Sequence, residues 1–144
     1  MAVEWQTIEA IAATKRIDLW LLFPLGMGVN RMLTRSGPPE GAWASRLTTF
    51  FGTDDWKHAF YRPSSQISML DELKIEKIDK PFEAIGGFFL ERLRTVFPNG
   101  VAPNPYYLRN SKNTPLYLLC FASGNPRGSK IAIRIAKSIL GKKD

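Results

Sequence analysis

The stretch Ile17-Asp-Leu-Trp-Leu-Leu-Phe23 decides the fold class, because it is a nearly continuous apolar run that ends at Pro24. A short run of this kind, in which Asp18 is the only polar residue, is typical of a strand covered on both faces in a parallel sheet. With Gly26 and Gly28 close behind, it is far shorter than the roughly 20 apolar residues of a membrane helix. The sequence therefore predicts a central strand and no membrane span.

The segments around this strand have helical spacing. Four helices are predicted. The first begins at Trp5 with no capping residue, and the second starts at Trp43 and ends at Gly52. The third is capped by Thr53 and has Asp54 and Asp55 in its first turn, and the fourth extends from Pro81 to Val96. Residues 26–33 are predicted to form a loop that enters a short helix. Residues 63–79 are polar and poorly patterned, so no element is predicted there.

The C-terminal third predicts two strands and a helix. Tyr106–Arg109 and Leu116–Ser123 are joined by a connection short enough for an antiparallel hairpin. Asn125 is the predicted cap of the last helix, which should end at Gly141. One face of that helix is expected to pack against the protein through the residues Ile131, Ala132, Ile133, Ile135, Ala136, Ile139 and Leu140.

This order of elements predicts an α/β fold that corresponds to the C-terminal half of a Rossmann-like sheet. It should have about three strands, including the antiparallel hairpin, with helices on its flanks. The chain 1–144 is thus interpreted as a single partial α/β domain. A parallel sheet this small would leave an apolar edge unpaired, which favours a homo-oligomer formed through that exposed edge.

Composition excludes several classes of protein. With 44% hydrophobic and 23% charged residues the chain is globular rather than disordered. No basic segment followed by an apolar one marks a signal peptide, so a cytoplasmic location is expected. Cys120 and His58 are the only residues of their types, which argues against a disulfide, a thiolate metal site or a site with two imidazoles. A metal site at Asp54, Asp55 and His58 is the less simple interpretation of those residues.

The formal charge of +7 lies at the C-terminus, because the 12 basic and 12 acidic residues before Arg109 cancel. An excess of positive charge predicts a polyanionic partner, so a nucleic-acid-binding module is one hypothesis. The candidate contact residues are Arg109, Lys112, Arg127, Lys130, Arg134 and Lys137. A solvated helix face explains the same pattern.

Gly26-Met-Gly28-Val-Asn-Arg31 follows the predicted strand, but Arg31 stands where a dinucleotide-binding loop needs its third glycine. The sequence therefore does not predict a phosphate-binding glycine loop. Open α/β sheets bind ligands at the carboxyl ends of parallel strands. Asn30 and Arg31 are accordingly the candidate ligand-binding residues.

A series of motifs resembles the three-Cys-motif partner family across nearly the whole chain. The motifs are Trp5-Gln-Thr-Ile-Glu-Ala-Ile-Ala12, Ile17-Asp-Leu-Trp-Leu-Leu-Phe-Pro24 with Asn30-Arg31, Phe50-Phe-Gly-Thr-Asp-Asp-Trp56 and Leu116-Tyr-Leu-Leu-Cys-Phe-Ala-Ser123. The resemblance implies a fold like that of class I S-adenosylmethionine-dependent methyltransferases, and association with a protein that carries a three-cysteine motif.

Members of that family carry a glycine-rich cofactor loop and an Asp-Pro-aromatic-Gly motif in an N-terminal half, and neither occurs here. We therefore expect no cofactor site in this chain, although a full-length form would bind S-adenosylmethionine. On this alignment Met1 is hypothesised to be an internal methionine of a longer frame or the start of a truncated gene. Three hypotheses remain: an accessory interaction unit, part of a methyltransferase completed by a missing half, and the nucleic-acid-binding module.

Overall fold

The computed structural model describes residues 3–63 and 75–142. Its elements are α1 (Trp5–Ala13), β1 (Asp18–Pro24), a π-helix (Leu25–Asn30), α2 (Ala42–Phe51), α3 (Trp56–Ala59), β2 (Tyr61–Pro63), β3 (Ile75–Lys77), α4 (Pro81–Val96), β4 (Tyr106–Arg109), β5 (Pro115–Ser123) and α5 (Ser129–Leu140). The predicted mixed α/β class is confirmed. In the described ranges, no helix combines the length and apolar composition that crossing a bilayer requires.

The main sheet has three strands in the order β1-β5-β4, and both pairs are antiparallel. The predicted hairpin of β4 and β5 is confirmed, with Tyr106 opposite Leu119. The number of strands in this sheet also agrees with the prediction. The short antiparallel pair of β2 and β3 was not predicted, because three-residue strands leave too little alternation to detect. Part of the unpatterned stretch, residues 64–74, lies outside the described residues.

The prediction that β1 is a central strand of a parallel sheet is wrong for the described chain. β1 is an edge strand paired antiparallel with β5. Leu21 and Phe23 are buried, whereas Trp20 and Leu22 are 44% and 49% exposed. Because successive side chains of a strand point to opposite faces, only one face of β1 is packed in the core. An apolar run cannot by itself show whether both faces are covered.

The main core is an aromatic cluster between the packed face of the sheet and the helices α1, α2 and α4. Phe23 of β1 stacks on Phe89 of α4 with ring centroids 4.0 Å apart, and the Trp5 ring meets Phe89 edge-on. Trp5 and Phe51 are almost fully buried. The predicted long helix from Pro81 to Val96 is confirmed as α4, with the proline in its first turn.

The other face of the sheet is covered by α5, but the predicted packing face of this helix is partly wrong. Ala132, Ile133, Ala136 and Leu140 pack with Phe121 and its neighbours. The remaining three predicted residues form a stripe that is 50–58% exposed: Ile131, Ile135 and Ile139. The distance between packed elements depends on the side chains at the contact, and Ala132 and Ala136 let the helix approach β5 closely.

Three local predictions need correction. The helix α5 begins at Ser129 with Gly128 at its N-cap position, where Asn125 was expected. The Asn125 side chain instead accepts a hydrogen bond from the Arg127 amide in the preceding turn. Asp54 and Asp55 precede α3 instead of lying in its first turn, and Thr53 accepts from the Asp55 amide. Residues 25–30 form a π-helix where a loop was predicted.

Candidate functional site

A groove of about 880 Å³ lies at the carboxyl end of β1. Five parts of the chain line it: the residues before α1, the end of β1, the π-helix with the residues after it, the outer face of α2, and Tyr117 of β5. Its volume is in the range of small-ligand sites, roughly 300–1,000 Å³. The lining residues that matter below are Glu4, Leu22, Arg31, Trp43, Arg46 and Tyr117.

Helix α2 brings Trp43, Arg46 and Phe50 to the groove because residues three and four apart share one face of a helix. Leu47 and Phe51, on the adjacent face, are fully buried and anchor the helix in the core. Trp43 is 43% exposed even though it is the first large apolar residue of the helix. Its apolar side chain is therefore available at the groove instead of being packed in the core.

The π-helix forms another wall of the groove. Helices of this type are rare and occur frequently at functional sites. Leu25 and Val29 are fully buried, which leaves Met27 and Gly28 at the groove. A Cβ atom at Gly28 would lie 2.8 Å from the Pro24 Cβ, so the close fit of this turn against the strand end requires a glycine.

The groove carries two arginine side chains that are unpaired among residues 3–63 and 75–142. Arg31 and Arg46 both line it, and neither side chain forms a hydrogen bond or an ion pair with these residues. Within the described ranges, Glu4 is the only acidic residue that lines the groove. Guanidinium groups stay charged at all physiological pH values and present flat, forked donors. The groove is therefore suited to a ligand that carries an anionic group.

The structure separates the two predicted ligand-binding residues. Arg31 lines the groove, whereas the Asn30 side chain is occupied by Lys77 of β3. The Lys77 Nζ donates to the Asn30 Oδ1 at 2.5 Å and to the Asn30 carbonyl at 3.1 Å. Burial lowers the pKa of Lys77 from its usual value, and the nearby Arg35 charge lowers it further. Asn30 thus has a structural role that joins the π-helix to β3.

The site residues predicted from the sequence do not include Trp43, Arg46 or Tyr117. Aromatic residues of strands are more often core, yet Tyr117 is 41% exposed and lines the groove from β5. Trp43 and Arg46 are three residues apart, which places them side by side on a helix. That spacing is the signal that was present, but nothing in it shows that this face meets the end of β1.

The predicted basic residues fall into two groups. Arg109 and Lys112 belong to the β4–β5 hairpin, where the Arg109 guanidinium lies over the Tyr107 ring and donates to the Asn113 carbonyl. The other group is exposed on or just before α5: Arg127, Lys130, Arg134 and Lys137. None of the six lines the groove.

Among the residues that the structure describes, no three His, Cys, Asp or Glu side chains come together as metal ligands. The interpretation of Asp54, Asp55 and His58 as a metal site has no support there. Cys120 is 1% exposed on β5, and burial raises the pKa of its thiol to about 12. A thiol of this kind is inert as a nucleophile at neutral pH.

The outer edge of β1 is a second candidate site. The Gly124 amide donates to the Ile17 carbonyl, which fixes the alternation of the antiparallel ladder. Leu19, Leu21 and Phe23 therefore face β5 with their backbone groups, and the amides of Asp18, Trp20 and Leu22 point outward. No strand of the described chain pairs with these groups.

Comparison of the chain with protein-family models, curated proteins and solved structures finds no match.

Proposed function

We propose that this chain is an interaction unit with the methyltransferase-like fold of the three-Cys-motif partner family, and not a self-sufficient enzyme. The observation that carries the proposal is the open edge of β1, which joins outward-pointing backbone groups to exposed apolar side chains. The motif series from Trp5 to Ser123 supports the family. The sequence contains no glycine-rich cofactor loop, so the interaction surface is the better candidate for function.

Between Asp18 and Pro24, the edge of β1 has none of the features that protect such strands from pairing. Natural edge strands use lysines, prolines or bulges, or are very short. β1 is seven residues long, has no charged residue after Asp18, has no bulge against β5, and reaches its only proline at its last position. It is therefore a template for an added strand.

The apolar surface continues from β1 onto α5. Asn104, which precedes β4, donates to the Lys137 carbonyl, and Ile133 of α5 packs in the same cluster as Tyr106 of β4, so this flank of α5 lies toward β4. The stripe of Ile131, Ile135 and Ile139 lies on the opposite flank, on the side of the sheet where β1 lies. A partner that extends the sheet beyond β1 would cover this stripe as well.

The occupant that we assign to this edge is a second copy of the chain. Two copies of β1 related by a two-fold axis would pair antiparallel and extend the sheet from three strands to six. The stretch from Leu19 to Phe23 carries no charge, so its self-pairing brings no like charges together. The apolar faces of the two copies then bury each other.

Sedimentation velocity tests this proposal. The chain should form a dimer that dissociates on dilution, and Trp20→Lys should yield a monomer, because a charged side chain at the edge disfavours strand pairing. Ile75→Lys is the matched control, since Ile75 is 48% exposed on β3 of the other sheet and should leave the dimer intact. Circular dichroism verifies that both variants are folded.

A second readout follows the backbone. In the dimer the outward amides of Trp20 and Leu22 should exchange with deuterium slowly, and dilution should make them fast. A chain that stays monomeric at about 100 μM with fast exchange at both amides contradicts the proposal. So does a dimer that Trp20→Lys leaves unchanged.

A further inference from the structure

The groove at the carboxyl end of β1 places in one concave surface two guanidinium groups that are unpaired among the described residues. Arg31 follows the π-helix and Arg46 projects from α2, so two separate elements converge their positive charge on the same space. A cleft with one dominant sign of charge and apolar walls focuses the field and raises the local concentration of anions. Such an arrangement favours a phosphate-sized anionic group, which forked guanidinium donors bind well.

The same groove offers aromatic surface. Trp43 and Tyr117 are each about two-fifths exposed, and neither stacks on another ring among the described residues. Other aromatic residues of the main core contact one another at ring distances of 4.0–6.4 Å. An exposed indole face beside a cationic group is a platform on which a planar base stacks, and this stacking tolerates any base.

The remaining polar groups of the groove restrict the class of ligand further. Glu4 and Thr49 also line the groove. A carboxylate disfavours a ligand that is anionic throughout, such as a bare polyphosphate, but it accepts hydrogen bonds from hydroxyl or amino groups. A ligand that combines one anionic end, a planar ring and hydroxyl donors satisfies the whole set.

We propose that this groove binds a nucleotide, with its phosphate at Arg31 and Arg46 and its base on Trp43. The ligand is either a free mononucleotide or one unit of a single-stranded nucleic acid, since both present the same chemistry. The groove volume of about 880 Å³ accommodates one nucleotide. This inference does not rest on pairing at the β1 edge.

Isothermal titration of the full chain with adenosine 5′-monophosphate tests the proposal. Inorganic phosphate, adenosine and S-adenosylmethionine are the comparison ligands, and each should bind at least tenfold more weakly. Inorganic phosphate lacks the base and adenosine lacks the phosphate. S-adenosylmethionine also lacks a phosphate, and its cationic sulfonium would lie near two arginines. A hexamer of oligoadenylate distinguishes the sources, because tighter binding than the mononucleotide at the same residues assigns a single strand.

Matched variants locate the site. Arg31→Ala, Arg46→Ala and Trp43→Ala should each weaken nucleotide binding about tenfold, whereas Arg16→Ala, an exposed arginine outside the groove, should not change it. Arg46→Lys is the variant to use if an alanine variant proves unstable. It keeps the charge and should retain part of the affinity. The proposal is overturned if the mononucleotide binds no better than phosphate and adenosine, or if binding survives the arginine substitutions. Trp20 does not line the groove, so the Trp20→Lys dimer test can fail without affecting this result.

Discussion

At the scale of single residues, Cys120 links burial to the pH dependence of stability. Its thiol ionises near pH 9.0 when unfolded, and burial raises the folded pKa to about 12. Because the folded thiol is harder to ionise, the stability associated with Cys120 is fully present below pH 9. It is lost as the pH rises above 9, since ionisation then stabilises only the unfolded chain. We expect the free energy of unfolding to fall by about 1.4 kcal/mol from about pH 8 to about pH 10, relative to Cys120→Ala.

Urea unfolding of both proteins at the two pH values measures this difference. Other groups titrate in the same window, and the comparison with Cys120→Ala removes their contribution. Parallel profiles for the two proteins would show that Cys120 is not buried as the structure has it.

Arg92 is a second residue whose role depends on three elements. From α4, its guanidinium donates to the Phe51 carbonyl at 2.7 Å and to the Gly52 carbonyl at 3.3 Å, and lies 4.7 Å from the centre of the Trp5 ring. It thus satisfies carbonyls at the C-terminal end of α2 and stacks on α1. Because a lysine cannot reproduce the forked geometry, Arg92→Lys should lower the free energy of unfolding by about 1–3 kcal/mol.

Chemical denaturation checks the Arg92 prediction, and Arg94→Ala provides its control. Arg94 is exposed two positions further along α4 and pairs with Glu91 within the same helix. An exposed pair of this kind contributes little, so the change should be within about 0.5 kcal/mol. Equal effects of the two substitutions would contradict the assigned role of Arg92.

At the scale of elements, the orientation of α5 makes opposite predictions for adjacent residues. Ile135 is 55% exposed and Ala136 is 1% exposed. In the dilute monomer, Ile135→Lys should change the free energy of unfolding by no more than about 0.5 kcal/mol. Ala136→Leu should cost about 1–3 kcal/mol because it overfills the contact with β5.

Thermal and urea unfolding at low protein concentration distinguish the two variants. The orientation predicted from the sequence, in which Ile135 packs against the protein, would give a large loss for Ile135→Lys. Near the dimer concentration range, Ile135→Lys should also weaken association, because it adds a charge to the stripe beside β1.

Gly52 shows why the ends of helices can be predicted from the sequence, whereas the surfaces through which they pack cannot. It ends α2 in the left-handed conformation, with φ of 68°, as its position in the sequence predicts. A side chain there would also collide with the Trp5 ring, since an added Cβ would lie 2.0 Å from the Trp5 Cδ1. The first requirement is local, whereas the second exists only because α1 and α2 meet.

At the scale of the whole molecule, the two candidate sites share β1. Its outer edge presents backbone groups to an added strand, and its carboxyl end forms one wall of the groove. Leu22 takes part in both, because its amide points outward and its side chain lines the groove. If a second copy pairs with β1, nucleotide binding and dimerisation should influence each other, and sedimentation with and without adenosine 5′-monophosphate would measure that coupling.

The sequence by itself determined the helices α1, α2, α4 and α5, the strands of the main sheet and the β4–β5 hairpin. These depend on the spacing of apolar residues and on turn residues, which act within a few positions of the chain. Tertiary structure alone decided that β1 is an edge strand, that α5 is rotated to pack Ala136 instead of Ile135, and that Arg31 and Arg46 share a groove. Those outcomes depend on which surfaces meet, and side-chain size and contact geometry decide that only when distant segments pack together.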